Sequence, residues 1–292
     1  MFFPVHPGSV ICFMQSMIIN PIIFAVIMDF NTVAVAFALT LFAGLSTGIG
    51  GLITFFVNRK NTWFLSLSLG FSAGVMIYVS FIDIFPKALD SLAVSLPEKT
   101  ASIITTLSFF GGILLIGIID RLVPSVENPH EIKFIGDNGK KNSSLMRMGF
   151  FTALAIAIHN FPEGIATFTA SLNNLSTGIV IAIAIAIHNI PEGIAISVPV
   201  YYATGSKKKA LKYSFFSGLS EPLGAIIGYL LLLPFLNDIT FGIVFGIVSG
   251  IMIFISFDEL LPASKEYGEH HISIYGLILG MAVMATSLLI IN

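Results

Sequence analysis

The chain has 292 residues, 55% of them hydrophobic and only 10% charged, with a formal net charge of −2 and a mean hydropathy of +0.94. Soluble domains carry about 25% charged residues, so this balance marks an integral membrane protein whose medium is the lipid bilayer. No basic or acidic block suits nucleic acid, and the single cysteine, Cys12, excludes an internal disulfide framework and any multi-thiolate metal site.

Residues 1–27 are hard to place: the stretch from Val10 to Met28 is apolar but broken by Pro21, and it lacks the basic start of a secretory signal. A ninth helix, an interfacial segment and an upstream start codon all fit, and the expectation taken is initiation at Met28. Residues 28–292 then make one membrane domain.

Runs long enough to cross roughly 30 Å of hydrocarbon follow at Thr32–Val57, Phe64–Ala88, Ser102–Leu122, Met148–Leu172, Thr177–Tyr202, Leu211–Leu233, Ile239–Leu261 and Ile272–Ile291. The expected fold class is therefore an all-α integral membrane protein of eight transmembrane helices. The longest connection, 123–146, is rich in Pro, Gly, Asn and charge and reads as a linker. Every Lys and Arg except Lys87 and Lys99 falls at or beyond the ends of spans one, three, five and seven. By the positive-inside rule that puts loop 123–146 in the cytoplasm and both termini outside, in a multi-pass protein of the plasma (inner) membrane.

Spans four and five carry two nearly identical hexapeptides, His159-Asn160-Phe161-Pro162-Glu163-Gly164 and His188-Asn189-Ile190-Pro191-Glu192-Gly193. Imidazoles and carboxylates are costly in hydrocarbon and usually face a polar cavity on an ion or substrate path. A polar turn at Asn173-Asn174 makes the two spans an antiparallel hairpin with both histidines roughly 22 Å from it. His and Glu four residues apart share a helix face, so His159, Glu163, His188 and Glu192 form a candidate metal set. Two nitrogens and two carboxylates suit Zn²⁺, and also Fe²⁺ or Mn²⁺. The side-chain carbonyls of Asn160 and Asn189 stand ready for a second, adjacent ion. Pro162 and Pro191 should kink their spans, and Gly164 and Gly193 should allow close helix approach. The alternative is that each His only bonds a neighbouring Glu and holds two helices together. Packing alone gives no reason to repeat all six positions.

Glu221, in Ser217-Gly218-Leu219-Ser220-Glu221-Pro222, is a third intramembrane carboxylate expected at the same cavity. Met76, Ser80 and Asp83 recur on one face of span two, where Met76 and Asp83 are candidate path residues on the outer side. Asp258 and Glu259 at the end of span seven, with Glu266, Glu269, His270 and His271 beyond, are candidates for receiving ions that leave.

With these motifs the chain resembles the ZIP (Zrt/Irt-like) divalent-metal transporters. The likeness extends to Leu69-Gly70-Phe71-Ser72-Ala73-Gly74-Val75-Met76, to Pro199-Val200-Tyr201-Tyr202-Ala203-Thr204-Gly205-Ser206-Lys207, to the Glu221 segment and to Asp258-Glu259-Leu260-Leu261-Pro262. It covers about Met28 to the C-terminus. The resemblance implies eight spans and a binuclear centre between helices four and five. It also implies homodimers and a sliding transport domain. Its first metal would take His159, Glu163, His188 and Glu192, with Met76 near. Its second would take Asn160, Asn189 and Glu221, bridged by Glu163 and Glu192. The loop after span three keeps only His130 of the histidine-rich tract common in that family.

The expectation is a secondary transporter that imports Zn²⁺, and also Fe²⁺, Mn²⁺, Co²⁺ or Cd²⁺, as substrate and without any cofactor. No Gly-Lys-Ser/Thr loop is present for ATP. The rival class is an intramembrane di-metal enzyme, a protease or oxidase. His-Glu-x-x-His is absent, and the His-then-Glu spacing reverses the Glu-x-x-His of di-iron bundles.

Overall fold

In the computed structural model of the chain, residues 30–122, 137–232, 235, 237–266 and 270–291 are described. The expectations on 1–27, on His130 and most of the loop after span three, and on Glu269 fall outside them. Among the described residues every regular element is helical.

The helix α1 is Phe30–Gly51, extended by a 3₁₀ turn to Phe55. The rod α2–α3 is Thr62–Val79 and Phe85–Ser95 around a π turn, Ser80–Ile84. Helix α4 spans Glu98–Leu122, α5 Asp137–Asn173 and α6 Leu175–Thr204. The rod α7–α8 is Lys207–Gly218 and Ser220–Ile227, with a π turn to Leu232. The rod α9–α10 is Asp238–Phe254 and Leu261–Glu266 around a π turn, Ile255–Leu260. Last comes α11, His270–Ile291.

Local chemistry sets several boundaries. Asn61, Asn174, Ser206 and Asn237 each accept a hydrogen bond at the head of α2, α6, α7 and α9, from the amides of Phe64, Thr177, Lys209 and Thr240. Between α5 and α6 only Asn174 is non-helical, the tight hairpin expected. Pro162 and Pro191 lie inside α5 and α6, and neither ends its helix. The π turns of α2–α3 and α9–α10 occur in matching strings, Ser80-Phe81-Ile82-Asp83-Ile84-Phe85-Pro86 and Ser256-Phe257-Asp258-Glu259-Leu260-Leu261-Pro262. A proline has no N–H to return to the preceding turn, and a widened turn absorbs that loss.

The helices pack as two groups. One contains α1, α5, α6 and α7–α8; the other contains α2–α3, α4, α9–α10 and α11; α2 lies against α6 between them. Small residues let backbones approach: Gly70 and Gly74 of α2 face the α11 backbone at Ser273 and Leu277. Helix α4 shows why the medium is lipid. Ala101, Thr105, Phe109, Gly112 and Ile116 are buried, yet its opposite face, Leu107, Phe110, Leu114 and Ile118, is equally apolar and half or more exposed.

Seven helical rods among the described residues are long and apolar enough to cross a membrane. They match seven of the eight expected spans, with starts one to four residues earlier and ends that differ in both directions. The eighth, on α5, is not among them. His159, Asn160, Pro162 and Glu163 dilute its apolar content, and its polar start at Asp137 lies well before Met148.

Candidate metal centre

The two hexapeptides meet across the α5–α6 hairpin, and they pair crosswise. His159 Nε2 lies 2.8 Å from Glu192 Oε1, and His188 Nε2 lies 3.4 Å from Glu163 Oε2. All four side chains are buried. Each Glu thus meets the His of the other helix instead of the one four residues before it, because the antiparallel arrangement brings one hexapeptide alongside the other. The pairing is also what two helices merely held together would show, so it does not decide between the readings.

A second feature is what remains unpaired. Glu221, fully buried on α8, accepts from Asn160 Nδ2 at 3.5 Å and from Asn189 Nδ2, both through Oε1. That leaves Glu221 Oε2, Glu192 Oε2, Asn160 Oδ1 and Asn189 Oδ1 buried with no hydrogen-bond partner. Leaving one such group unsatisfied costs on the order of 1–3 kcal/mol, and helix gluing alone does not need four. Oxygen lone pairs of this kind, beside two imidazoles and without thiolate, form a nitrogen-and-oxygen donor set suited to borderline divalent ions. Among the described residues no three His, Cys, Asp or Glu side chains converge on one ion-sized point. They stand as two pairs and a Glu221–asparagine cluster.

Backbone contacts hold this cluster from three sides. Gly164 presses on the backbone of Glu221, so α8 can lie directly against α5. Gly193 presses on the backbone of Thr47 in α1. Asn189 Nδ2 also donates to Ala43 O at 2.9 Å, and Ser72 Oγ of α2 donates to Pro191 O at 2.7 Å. Sequence reasoning missed the parts of Ala43, Thr47 and Ser72. Their signal was the small-residue run from Ala43 to Gly51 and the hydroxyl one turn before Met76.

The outlying candidates behave differently. Met76 is fully buried one turn beyond Ser72 and packs in the main core. Asp83 pairs with Lys87 on its own rod at 2.7 Å. His271 stacks on Tyr275, ring centroids 6.4 Å apart. His270 begins α11. Glu259 lies 3.5 Å from Arg147 Nη1, while Arg147 Nη2 meets Asp120 Oδ1 at 2.6 Å and donates to Asp120 O at 3.0 Å. Arg147 therefore ties α5 to α4 and to the π turn after α9, a link that counting basic loop residues did not reveal.

The family model described as "ZIP Zinc transporter" matches residues 126–288. The chain is 64% identical over 255 residues to the zinc transporter ZupT of Streptococcus mutans, covering 87% of this chain and 97% of that protein. It is 60% identical over 266 residues to the zinc transporter ZupT of Oceanobacillus iheyensis (89% and 99%), and 59% identical over 269 residues to that of Lysinibacillus sphaericus (90% and 100%).

Proposed function

The chain belongs to the ZIP zinc transporter family, and we propose that it imports Zn²⁺ into the cytoplasm through the donor set buried between α5, α6 and α8. Transport of Zn²⁺ across the membrane is its activity, zinc is its substrate, and it is a multi-pass membrane protein and not an enzyme. The observation that carries the site assignment is the set of four unpartnered buried oxygens on Glu192, Glu221, Asn160 and Asn189 beside two imidazoles.

In this reading α5 is the eighth span, both termini lie outside, and residues 28–292 are the transport domain. His159, Glu163, His188 and Glu192 hold one ion. Asn160, Asn189 and Glu221 hold a second, bridged by Glu163 and Glu192. For the ion to enter, it displaces the two His–Glu hydrogen bonds. Met76 and Asp83 lie on the outer approach; His270 and His271 lie on the inner side. Fe²⁺, Mn²⁺, Co²⁺ and Cd²⁺ accept the same donors and should compete. The protein works as a homodimer, and its two helix groups move relative to each other.

The test is radiozinc uptake into proteoliposomes by the wild type, His159→Ala and His188→Ala, with each competing ion added in turn. Loss of uptake in both variants supports the site. Undiminished uptake in both contradicts it.

A further inference from the structure

A groove of about 450 Å³ runs between α1 and α7, away from the His/Glu cluster. The two helices lie antiparallel there, Gly44 opposite Gly218, Gly48 opposite Phe215 and Gly51 opposite Ser214 and Leu211. From α1 the groove takes Leu45, Gly48, Ile49 and Leu52, a single helical face. From α7 it takes Leu211, Phe215 and Phe216, with Lys208 and Lys212 as its charged residues and no acid among the lining side chains. Gly48 leaves the floor open, since a methyl group there would stand 3.3 Å from the Phe215 ring.

The walls are not closed off by the protein: Ile49 and Phe216 are each more than half exposed. In a membrane protein such a surface meets acyl chains. Plain hydrophobic cover does not call for two lysines. Lys208 and Lys212 are one helical turn apart, about 5–6 Å between Cβ atoms, close enough to flank one phosphate. Lys207, by contrast, is engaged elsewhere, donating to Phe55 O at 2.8 Å and lying near the Phe55 and Tyr201 rings. Lys212 Nζ lies 5.7 Å from the Phe216 ring centre, at the groove's edge.

We propose that this groove is a binding site for an anionic phospholipid, with one acyl chain along Leu45, Gly48 and Ile49 and the headgroup phosphate between Lys208 and Lys212. Basic clefts between spans that open at a membrane interface favour such headgroups. The groove lies in the helix group that carries the His/Glu cluster, so the lipid would brace α1 against α7 where Ser214 Oγ donates to Thr47 O at 2.5 Å. The inference rests on residence in the bilayer and is independent of the metal assignment.

The experiment is native mass spectrometry and thermal unfolding of the full chain in detergent, with phosphatidylglycerol, phosphatidylcholine or inorganic phosphate added. The expected result is retention and thermal stabilisation by phosphatidylglycerol only. Retention should fall by about tenfold or more in Lys208→Gln/Lys212→Gln, and also in Ile49→Trp, which fills the groove without touching its charge. Equal retention of both lipids would overturn the proposal, as would phosphatidylglycerol retention unchanged in either variant. Loss of a dimer in those variants with lipid retention intact would also overturn it, by making the groove a seam between two copies.

Discussion

His159 on α5 and Glu192 on α6 are joined across the hairpin at 2.8 Å, both fully buried. In the proposed site this hydrogen bond pre-positions both side chains for an ion. Glu192→Gln keeps shape and hydrogen bonding but removes the charge an ion needs. Zinc uptake should fall by about tenfold or more in Glu192→Gln, as expected when a carboxylate ligand loses its charge, with the unfolding temperature of the purified protein little changed. Equal uptake would mean the pair is only structural.

Proton competition follows from the same chemistry. Imidazole must be neutral and carboxylates ionised to bind a cation, so acid converts ligands into non-ligands. Uptake measured at fixed free zinc should decline as external pH falls, and the decline should be partly overcome by more zinc. A pH-independent rate would argue against His/Glu ligation.

Close helix contact at the two motif glycines has its own consequence. A methyl group at Gly164 would collide with the Glu221 backbone, and one at Gly193 with the Thr47 backbone. Backbone cannot step aside cheaply, so Gly164→Ala and Gly193→Ala should each destabilise by about 1–3 kcal/mol and lower uptake. Thermal unfolding in detergent beside the uptake assay checks both.

Arg147 offers a separate test away from the ion site. Its guanidinium meets Asp120 at 2.6 Å and Glu259 at 3.5 Å, joining the two helix groups. Arg147→Ala should cost about 1–2 kcal/mol of stability, a value lowered by the partial exposure of the pair. Zinc affinity, read by equilibrium binding, should stay the same.

Much of this was legible in the sequence because membrane spans and buried ionisable residues follow from strong penalties. The two His-Asn-x-Pro-Glu-Gly strings lie side by side with Glu221 against their asparagines, as two His–Glu pairs and a Glu221–asparagine cluster. The crosswise pairing was not legible, since spacing within one helix says nothing of which neighbour's carboxylate lies nearest. The roles of Ala43 and Thr47 were also hidden, because they act through backbone carbonyls that every residue has. Arg147 was counted for its charge in setting orientation, while its contacts depend on where α4 and α9 end in space. Span four reads as a membrane helix from its Ala and Ile runs, yet His159, Asn160, Pro162 and Glu163 lower its apolar content below that of the other seven.

In the proposed site, zinc binds between α5 and α6 through nitrogen and oxygen alone. X-ray absorption at the zinc edge of the loaded protein, compared with His188→Ala, tests it most directly. The expected spectrum has nearest N/O scatterers at about 2.0–2.2 Å without sulfur, with imidazole scattering reduced in the variant. A sulfur shell, or a zinc spectrum identical in the two proteins, would contradict it.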